Sequence, residues 1–258
     1  MLTLKNLTYS HQNKLILKNL SFTFNDREII GITGAAGAGK STLINLIKNY
    51  KIDYEGNILF EENELNSFRK KEFKKIISHY SSAQNIINPE AIVREWILGG
   101  RISHKKRLGS YSKTDREIAD SNMSMFGLEQ FAETRLKLIS ETSVKMASLA
   151  RVFAAQSKIL LLEKPEAGLN INQRVLLTKC IKKQTISENS LVILTSSDLN
   201  FISATCDRII VLADNVIAES GTHKIISAEF IKKYYNVEAI VTKNIFSGLP
   251  EIQVIEEN

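Results

Sequence analysis

Residues Gly34 to Thr42 read GAAGAGKST and fit the phosphate-binding pattern G-x-x-x-x-G-K-[ST]. In such a loop (P-loop), successive backbone N–H groups and a lysine ammonium face the phosphates of a nucleotide. The glycines allow close backbone approach and positive φ. We therefore expect nucleotide binding by the whole loop, which comprises Gly34, Ala35, Ala36, Gly37, Ala38, Gly39, Lys40, Ser41 and Thr42.

Both flanks of the loop support this prediction. An apolar strand precedes it at residues 28–33, and residues 42–47 continue with a helical pattern whose N-terminus faces the loop. Ser41 is the expected Mg²⁺ ligand, because the P-loop hydroxyl bridges the metal to the β- and γ-phosphates. ATP and Mg²⁺ are therefore the predicted ligands.

The composition is that of an ordinary globular protein. The chain has 258 residues, 43% hydrophobic and 24% charged, which allows a full core. A net charge of +6 suits a nucleotide or an anionic membrane surface, but we expect no nucleic-acid partner, because that function requires a concentrated basic patch. Cys180 and Cys206 have no metal-ligand spacing and indicate reduced thiols. We find no signal peptide and no apolar run of membrane-spanning length, so we expect a cytosolic protein.

The order of patterns predicts an α/β protein. The first thirty residues alternate as paired strands at residues 2–7, 15–17 and 21–24, and a turn at 55–57 precedes a strand at 58–60. A short surface helix is expected at 66–76, and helical patterns run from Pro89 to Ala155. Continuous apolar runs at 158–162, 191–194 and 208–212 are typical of parallel strands buried on both faces, with a helix at 171–187 between the first two.

This order resembles the ATP-binding subunit of an ABC transporter, and most closely the ATPases of iron-siderophore, haem and cobalamin importers. The resemblance extends from Leu2 to about Tyr235. Further stretches match the family in the same order: Val93-Arg94-Glu95, Gly100 to His104, Ala150-Arg151 and Ala154, Leu160 to Pro165, and Asp207 to Thr222.

The resemblance implies roles for individual residues. Tyr9 lies where the family stacks an aromatic ring on adenine, and Gln84 matches the glutamine that senses Mg²⁺ and contacts the transmembrane partner. Ser140 matches the serine of the signature motif, whose hydroxyl caps the γ-phosphate bound to the partner ATPase. Glu163 falls on the aspartate that holds Mg²⁺ through water. The metal set implied is Ser41, Gln84 and Glu163.

The catalytic positions depart from the family pattern. Lys164 replaces the glutamate that polarises the attacking water, and Ser197 replaces the switch histidine. Losing a positioned general base typically costs ~10²–10⁴ in rate. Lys164 could instead pair with Glu163 or with the γ-phosphate. The signature motif is Ile139 to Ser143, with Glu141 where close backbone approach to an anion is needed. Intact ATP binding with weak or absent hydrolysis is therefore expected.

Several functions follow from these observations. One is the energy-coupling subunit of an importer, working with transmembrane permease subunits, a second ATP-binding subunit in a homo- or heterodimer, and a substrate-binding protein. Another is a pseudo-ATPase beside an active homologue. Soluble ABC proteins of translation or DNA repair fit less well, because they carry two nucleotide domains or a coiled-coil insertion, and a small-molecule P-loop kinase would need a lid and substrate-binding arginines.

The expected architecture is a P-loop NTPase core with a parallel sheet, an N-terminal antiparallel β subdomain and an inserted α-helical subdomain. The ATP-binding domain is expected to span residues 1–235, with the helical subdomain at about 88–155. Residues 236–258 form a tail of unassigned role. The resemblance implies a location at the inner face of the cell membrane, held there by partner subunits.

Overall fold

The computed structural model describes residues 1–49, 52–83, 88–105 and 109–255. The chain forms two compact units of mixed α/β structure. The first unit comprises Met1–Ser67 and Leu191–Asn258, and the second comprises Phe68–Ser190. The strands are β1 Leu2–His11, β2 Lys14–Phe24, β3 Ile29–Thr33, β4 Glu55–Phe60, β5 Asn63–Glu64, β6 Ile77–Ser81, β7 Ile159–Glu163, β8 Leu191–Thr195, β9 Arg208–Ala213, β10 Val216–Gly221, β11 Ala239–Lys243 and β12 Pro250–Val254. The α-helices are α1 Lys40–Lys48, α2 Lys70–Ile76, α3 Val93–Leu98, α4 Lys113–Met125, α5 Glu141–Ala154, α6 Ile171–Ser187, α7 Leu199–Thr205 and α8 Ala228–Tyr235.

The first unit contains an antiparallel sheet with strand order β2-β1-β4-β5. The expected strands at 15–17 and 21–24 are one continuous strand, β2, because Gln12 and Asn13, both at positive φ, form a two-residue turn that lets it pair with β1 along its length. The turn expected at 55–57 was also wrong: these residues begin β4. Gly56 allows this at φ +84, where a Cβ would lie 2.4 Å from the carbonyl oxygen of Asn6.

The first unit also contains β3, the strand that precedes the P-loop, together with two strands parallel to it. β3 lies between β8 and β9 and is parallel to both, and β10 adds antiparallel to β9. Every residue of β3 and β8 is buried. The continuous apolar runs are therefore confirmed as strands covered on both faces.

The tail left unassigned by the sequence is folded onto the first unit. β11 and β12 form an antiparallel hairpin. Leu199 of α7, Val211 of β9, Phe230 and Ile231 of α8, and Ala239 of β11 share one buried cluster. The Asn200 side-chain amide completes the attachment: it accepts from Ile252 N at 2.9 Å and donates to Ile252 O at 3.2 Å.

The second unit combines a parallel strand pair with a group of helices. β6 runs parallel to β7, with Ile77 beside Ile159 and Ser81 beside Glu163. The helix expected at 171–187 is confirmed as α6. Part of the surface helix expected at 66–76 is formed by α2.

A buried ion pair holds the helical part of the second unit. Arg101 Nε lies 2.9 Å from Asp115 Oδ1, and the Arg101 guanidinium also donates to the carbonyl of Ala154. Burial alone would raise the pKa of Asp115, but hydrogen bonds from Ser112 and Arg101 outweigh it and hold that pKa below its usual value. Within the described residues, no helix combines the length and apolarity that a bilayer crossing requires.

Candidate nucleotide-binding site

The P-loop has the backbone shape that its glycines predict. Gly34, Gly37 and Gly39 have φ values of +136, +80 and +93. A Cβ at Gly34 would lie 2.2 Å from the carbonyl oxygen of Leu212, and one at Gly39 would lie 2.7 Å from the Leu17 side chain. The loop therefore lies against β9 and β2 as closely as its backbone permits, while Ala35, Ala36 and Gly37 remain exposed.

Backbone amides and a lysine converge at the end of this loop. Gly39 caps α1 in the left-handed conformation without a capping side-chain bond among the described residues, and the first helical bond runs from Leu43 N to Gly39 O. The N–H groups of residues 40–42 therefore lie outside the helical ladder, as an anion site requires. Lys40 Nζ donates to the carbonyl oxygens of Gly34 and Ala35, both at 2.7 Å, which holds the ammonium over the loop. Ser41 is exposed.

Beside the P-loop lies an open groove of about 480 Å³. Its lining includes half-buried Tyr9, together with Ile16 of β2 and Thr42 of α1. The structure thus brings Tyr9 and Thr42 to one groove, as the adenine-stacking prediction requires. An aromatic ring and an aliphatic side chain are a suitable lining for a planar base.

Ser197 lies in the first unit just beyond β8, and its side chain is exposed. It precedes Asp198, whose carboxylate caps α7 by accepting from Phe201 N at 2.9 Å. Asp198 N in turn donates to Ser196 Oγ at 2.9 Å. The backbone around Ser197 is therefore held on both sides, and a hydroxyl stands where the resemblance expects an imidazole.

Glu163 is the last residue of β7 in the second unit, and Lys164 follows it. Glu163 Oε2 lies 2.9 Å from His79 Nε2, and both side chains are largely buried. Lys164 is exposed and has φ +45, in the left-handed region that residues with a side chain rarely adopt. The Lys164 amine is therefore at the surface, and the Glu163 carboxylate bonds a histidine that the sequence did not single out.

The altered signature motif begins α5. Ser140 Oγ caps this helix by accepting from Ser143 N at 3.1 Å. Glu141 is 83% exposed and pairs with Lys145 one turn later, at 2.9 Å. An exposed i,i+4 pair contributes only ~0.3–0.5 kcal/mol, yet it turns the Glu141 carboxylate along the helix flank, away from the helix N-terminus.

One predicted site residue lies outside the described part of the chain, and two residues with contacts at the site were not predicted. Gln84, expected at the metal and at the permease contact, lies outside the described residues. His79 and Tyr235 were not predicted. The parallel register of β6 and β7 brings His79 to Glu163. The packing of α8 brings Tyr235 to the P-loop, where its hydroxyl accepts from Gly34 N at 3.1 Å. Neither contact has a local sequence signal.

A family model for ABC transporters matches residues 17–167, more than half of the chain. The chain belongs to this family. It is an ATP-binding subunit of ABC type, and the family binds ATP.

Known ABC proteins are similar in sequence to this chain along nearly its whole length. An ABC transporter ATP-binding protein of Methanocaldococcus jannaschii is 27% identical over 252 residues, which are 98% of this chain and 97% of that protein. The ferric enterobactin transport ATP-binding protein FepC of Escherichia coli is 24% identical over 95% of this chain and 90% of its own length.

Solved structures show the same fold. A chain of a metal-chelate type ABC transporter in an inward-facing conformation has a TM-score of 0.81 at 18% identity, covering 98% of this chain and 96% of that one. The cbiO1 protein of Clostridium perfringens, part of the transporter complex cbiONQ, has a TM-score of 0.77 at 20% identity and covers 91% of this chain and 94% of that one. The α/β fold class expected from the sequence is therefore confirmed.

The residues of the first unit fit a nucleotide. The cradle at Gly34 and Gly39 has no room for a Cβ, amides 40–42 are outside the helix ladder, and the Tyr9 groove adjoins the loop. Ser41 offers an exposed hydroxyl for a Mg²⁺ ion that keeps most of its ligands from phosphates and water. When bound, Mg-ATP supplies the phosphate charge that the loop amides and Lys40 would neutralise.

Proposed function

We propose that this ATP-binding subunit serves an importer of organic metal chelates, binds Mg-ATP at residues 34–42, and hydrolyses it slowly or not at all. The observation that supports binding best is the P-loop itself, with its glycine cradle, its lysine and its adjoining aromatic groove. Transmembrane permease subunits and a second ATP-binding subunit are the partners proposed, and they would hold the chain at the inner face of the membrane.

Slow hydrolysis is supported by the residues at two catalytic positions. Lys164 carries an ammonium group, which has only N–H donors and no lone pair that could accept a proton from the attacking water. Ser197 provides a hydroxyl in place of an ionisable ring. Glu163 retains a carboxylate for the metal, although that carboxylate also bonds His79.

The importer assignment is supported by relatives and by the fold. FepC is named for ferric enterobactin transport, FpuC of Bacillus anthracis for petrobactin import, and the TM-score of 0.81 belongs to a metal-chelate type transporter. PhnC of Fusobacterium nucleatum, named for phosphonates import, is 26% identical. Co-purification with permeases of both types distinguishes these two substrate classes.

A second candidate is a pseudo-ATPase that holds or regulates an assembly with an active homologue. Its specific support is that this chain combines Lys164 and Ser197 at the catalytic positions with Glu141 in the signature motif. A complex in which all turnover depends on the homologue's site would support this function. Turnover that depends on this chain's own site would contradict it.

The deciding experiment incubates the purified chain with labelled Mg-ATP, isolates the complex and identifies the nucleotide over several hours. We expect intact ATP bound at one per chain. Lys40→Ala is the control, since it removes the ammonium and should abolish binding. Steady conversion to ADP would contradict slow hydrolysis, and wild-type protein that binds no nucleotide would contradict the proposed function.

A further inference from the structure

One tyrosine of the C-terminal helix contacts the start of the P-loop. Tyr235, the last residue of α8, accepts a hydrogen bond from Gly34 N at 3.1 Å and bonds the hydroxyl of Thr33. Gly34 precedes the exposed residues Ala35 to Gly37. Tyr235 therefore holds the loop at its base without covering the amides that face outward.

The direction of each hydrogen bond in this group is determined. Thr33 Oγ1 donates to the carbonyl oxygen of Ser196 at 3.1 Å, so its single proton is used there. Tyr235 must then donate to Thr33, and its oxygen accepts from Gly34 N. The result is one directed chain of three bonds, from the Gly34 amide through two hydroxyls to the Ser196 carbonyl.

This chain joins two parts of the candidate site. Gly34 opens the P-loop, and Ser196 immediately precedes Ser197, which stands at the switch position. Thr33 is fully buried at the end of β3, so its hydroxyl depends on these partners. Burial raises the pKa of Tyr235 and outweighs the opposing hydrogen bonds, so its hydroxyl keeps its proton at neutral pH.

Tyr235 is itself held by packing. Phe230 and Ile231 on the same helix lie in the buried cluster with Leu199 and Val211, and the ring of Phe230 lies 6.3 Å from that of Tyr235. The helix thus fixes the position of the phenol before any ligand binds. A loop held in its binding conformation loses less entropy on binding, which strengthens affinity.

We propose that Tyr235 is a positioning residue of the nucleotide site, which fixes the start of the P-loop and the backbone before Ser197 through its hydroxyl. This inference rests on the proposed nucleotide binding. It gives the last residue of α8, for which the sequence predicted no role, a part in positioning the nucleotide site.

The neighbouring tyrosine offers a matched control. Tyr234 precedes Tyr235 in α8 and also loses its hydroxyl on conversion to phenylalanine, but that hydroxyl donates to Glu219 of β10 at 3.0 Å rather than bonding the start of the P-loop. Tyr235→Phe and Tyr234→Phe therefore differ chiefly in whether the lost hydroxyl contacts Gly34 and Thr33.

The experiment measures the Kd for Mg-ATP and for Mg-ADP by titration calorimetry, well below the melting temperature of every variant. Tyr235→Phe removes two hydrogen bonds, of which the one from Gly34 N belongs to the P-loop itself. It should raise both Kd values about fivefold, as expected for the loss of that one neutral hydrogen bond to the loop, while Tyr234→Phe stays within twofold of wild type. Thr33→Val should weaken binding similarly, and Thr33→Ser, which restores the hydroxyl, should recover it. The double variant of Tyr235→Phe and Thr33→Val should lose little more than either alone.

A purely structural role predicts a different result. Tyr235→Phe would then lower the melting temperature and leave both Kd values unchanged, and this outcome overturns the proposal. Equal weakening by Tyr234→Phe also overturns it. If Tyr235→Phe does not fold, the comparison of Thr33→Val with Thr33→Ser decides the question alone. Wild-type protein without measurable nucleotide binding refutes the proposed function, and this inference with it.

Discussion

Replacing Gly34 by alanine tests how closely the P-loop lies against the sheet. The added Cβ would lie 2.2 Å from the carbonyl oxygen of Leu212, a backbone atom of β9 that cannot rotate away. Gly34 also has φ +136, where essentially only glycine is stable. Gly37→Ala is the matched control in the same loop: its φ is +80, but no described heavy atom lies within 4 Å of the point that its Cβ would occupy.

The expected magnitudes separate the two variants. Backbone strain alone costs roughly 1–2 kcal/mol, which is the full expected cost at Gly37. At Gly34 the strain is ~1–3 kcal/mol, and displacing a packed backbone adds ~1–3 kcal/mol. The difference between the midpoints of these ranges is about 2.5 kcal/mol, which corresponds to ~5–10 °C in Tm for a chain of this length.

Thermal unfolding without nucleotide, followed by circular dichroism, measures this difference. We expect Gly34→Ala to melt well below Gly37→Ala, and Gly37→Ala to melt a few degrees below wild type. If both variants lose the same few degrees, then the close approach of Gly34 to β9 does not exist in solution. The account of the P-loop cradle would then be wrong.

Three further predictions concern chemistry, pH and thiol reactivity. Lys164→Glu restores a carboxylate at the position of the general base and should raise phosphate release by about 10²-fold, whereas Lys164→Met should match wild type; equal rates in the two variants would refute the role of charge at this position. Asp115→Asn breaks the buried pair with Arg101 and should cost ~3–5 kcal/mol in the free energy of unfolding at pH 7. The pKa of Asp115 is lower in the folded than in the unfolded protein. The ionised carboxylate therefore stabilises the fold fully above about pH 4, and this stabilisation is lost as the pH falls through the folded pKa. The free energies of unfolding of wild type and variant, measured by urea titration, should converge at that low pH. Burial raises the pKa of Cys180 to about 11, so a thiol reagent at pH 8 should label it only after unfolding, and prompt labelling of the native protein would contradict its burial.

The features that the sequence predicted correctly are those with a local signal. The P-loop has fixed spacing, and its three glycines take up the positive φ that the pattern requires. Apolar runs of the length of a strand became β7, β8 and β9, since strands buried on both faces need no polar alternation. The helix at 171–187 was also predicted, and the structure shows that Asn170 and Gln173 form a capping box at its start.

The strand boundaries near the N-terminus were less certain for a physical reason. Residues 15–17 and 21–24 show separate apolar patterns, but they belong to one strand, β2, whose pairing with β1 shifts register along its length. Register shifts interrupt the alternation of side chains without ending the strand. The same uncertainty explains the turn expected at 55–57, where a glycine within a strand looks like a turn.

The amino-acid sequence by itself determined the family, the nucleotide loop and the identity of the residues at the catalytic positions, since all of these are fixed by residue type and spacing. Only the tertiary structure decided what those residues contact. His79 and Glu163 are 84 positions apart, and Gly34 and Tyr235 are 201 apart. Such pairs meet because strand register and the packing of α8 bring them together, and neither property leaves a periodic trace in the sequence.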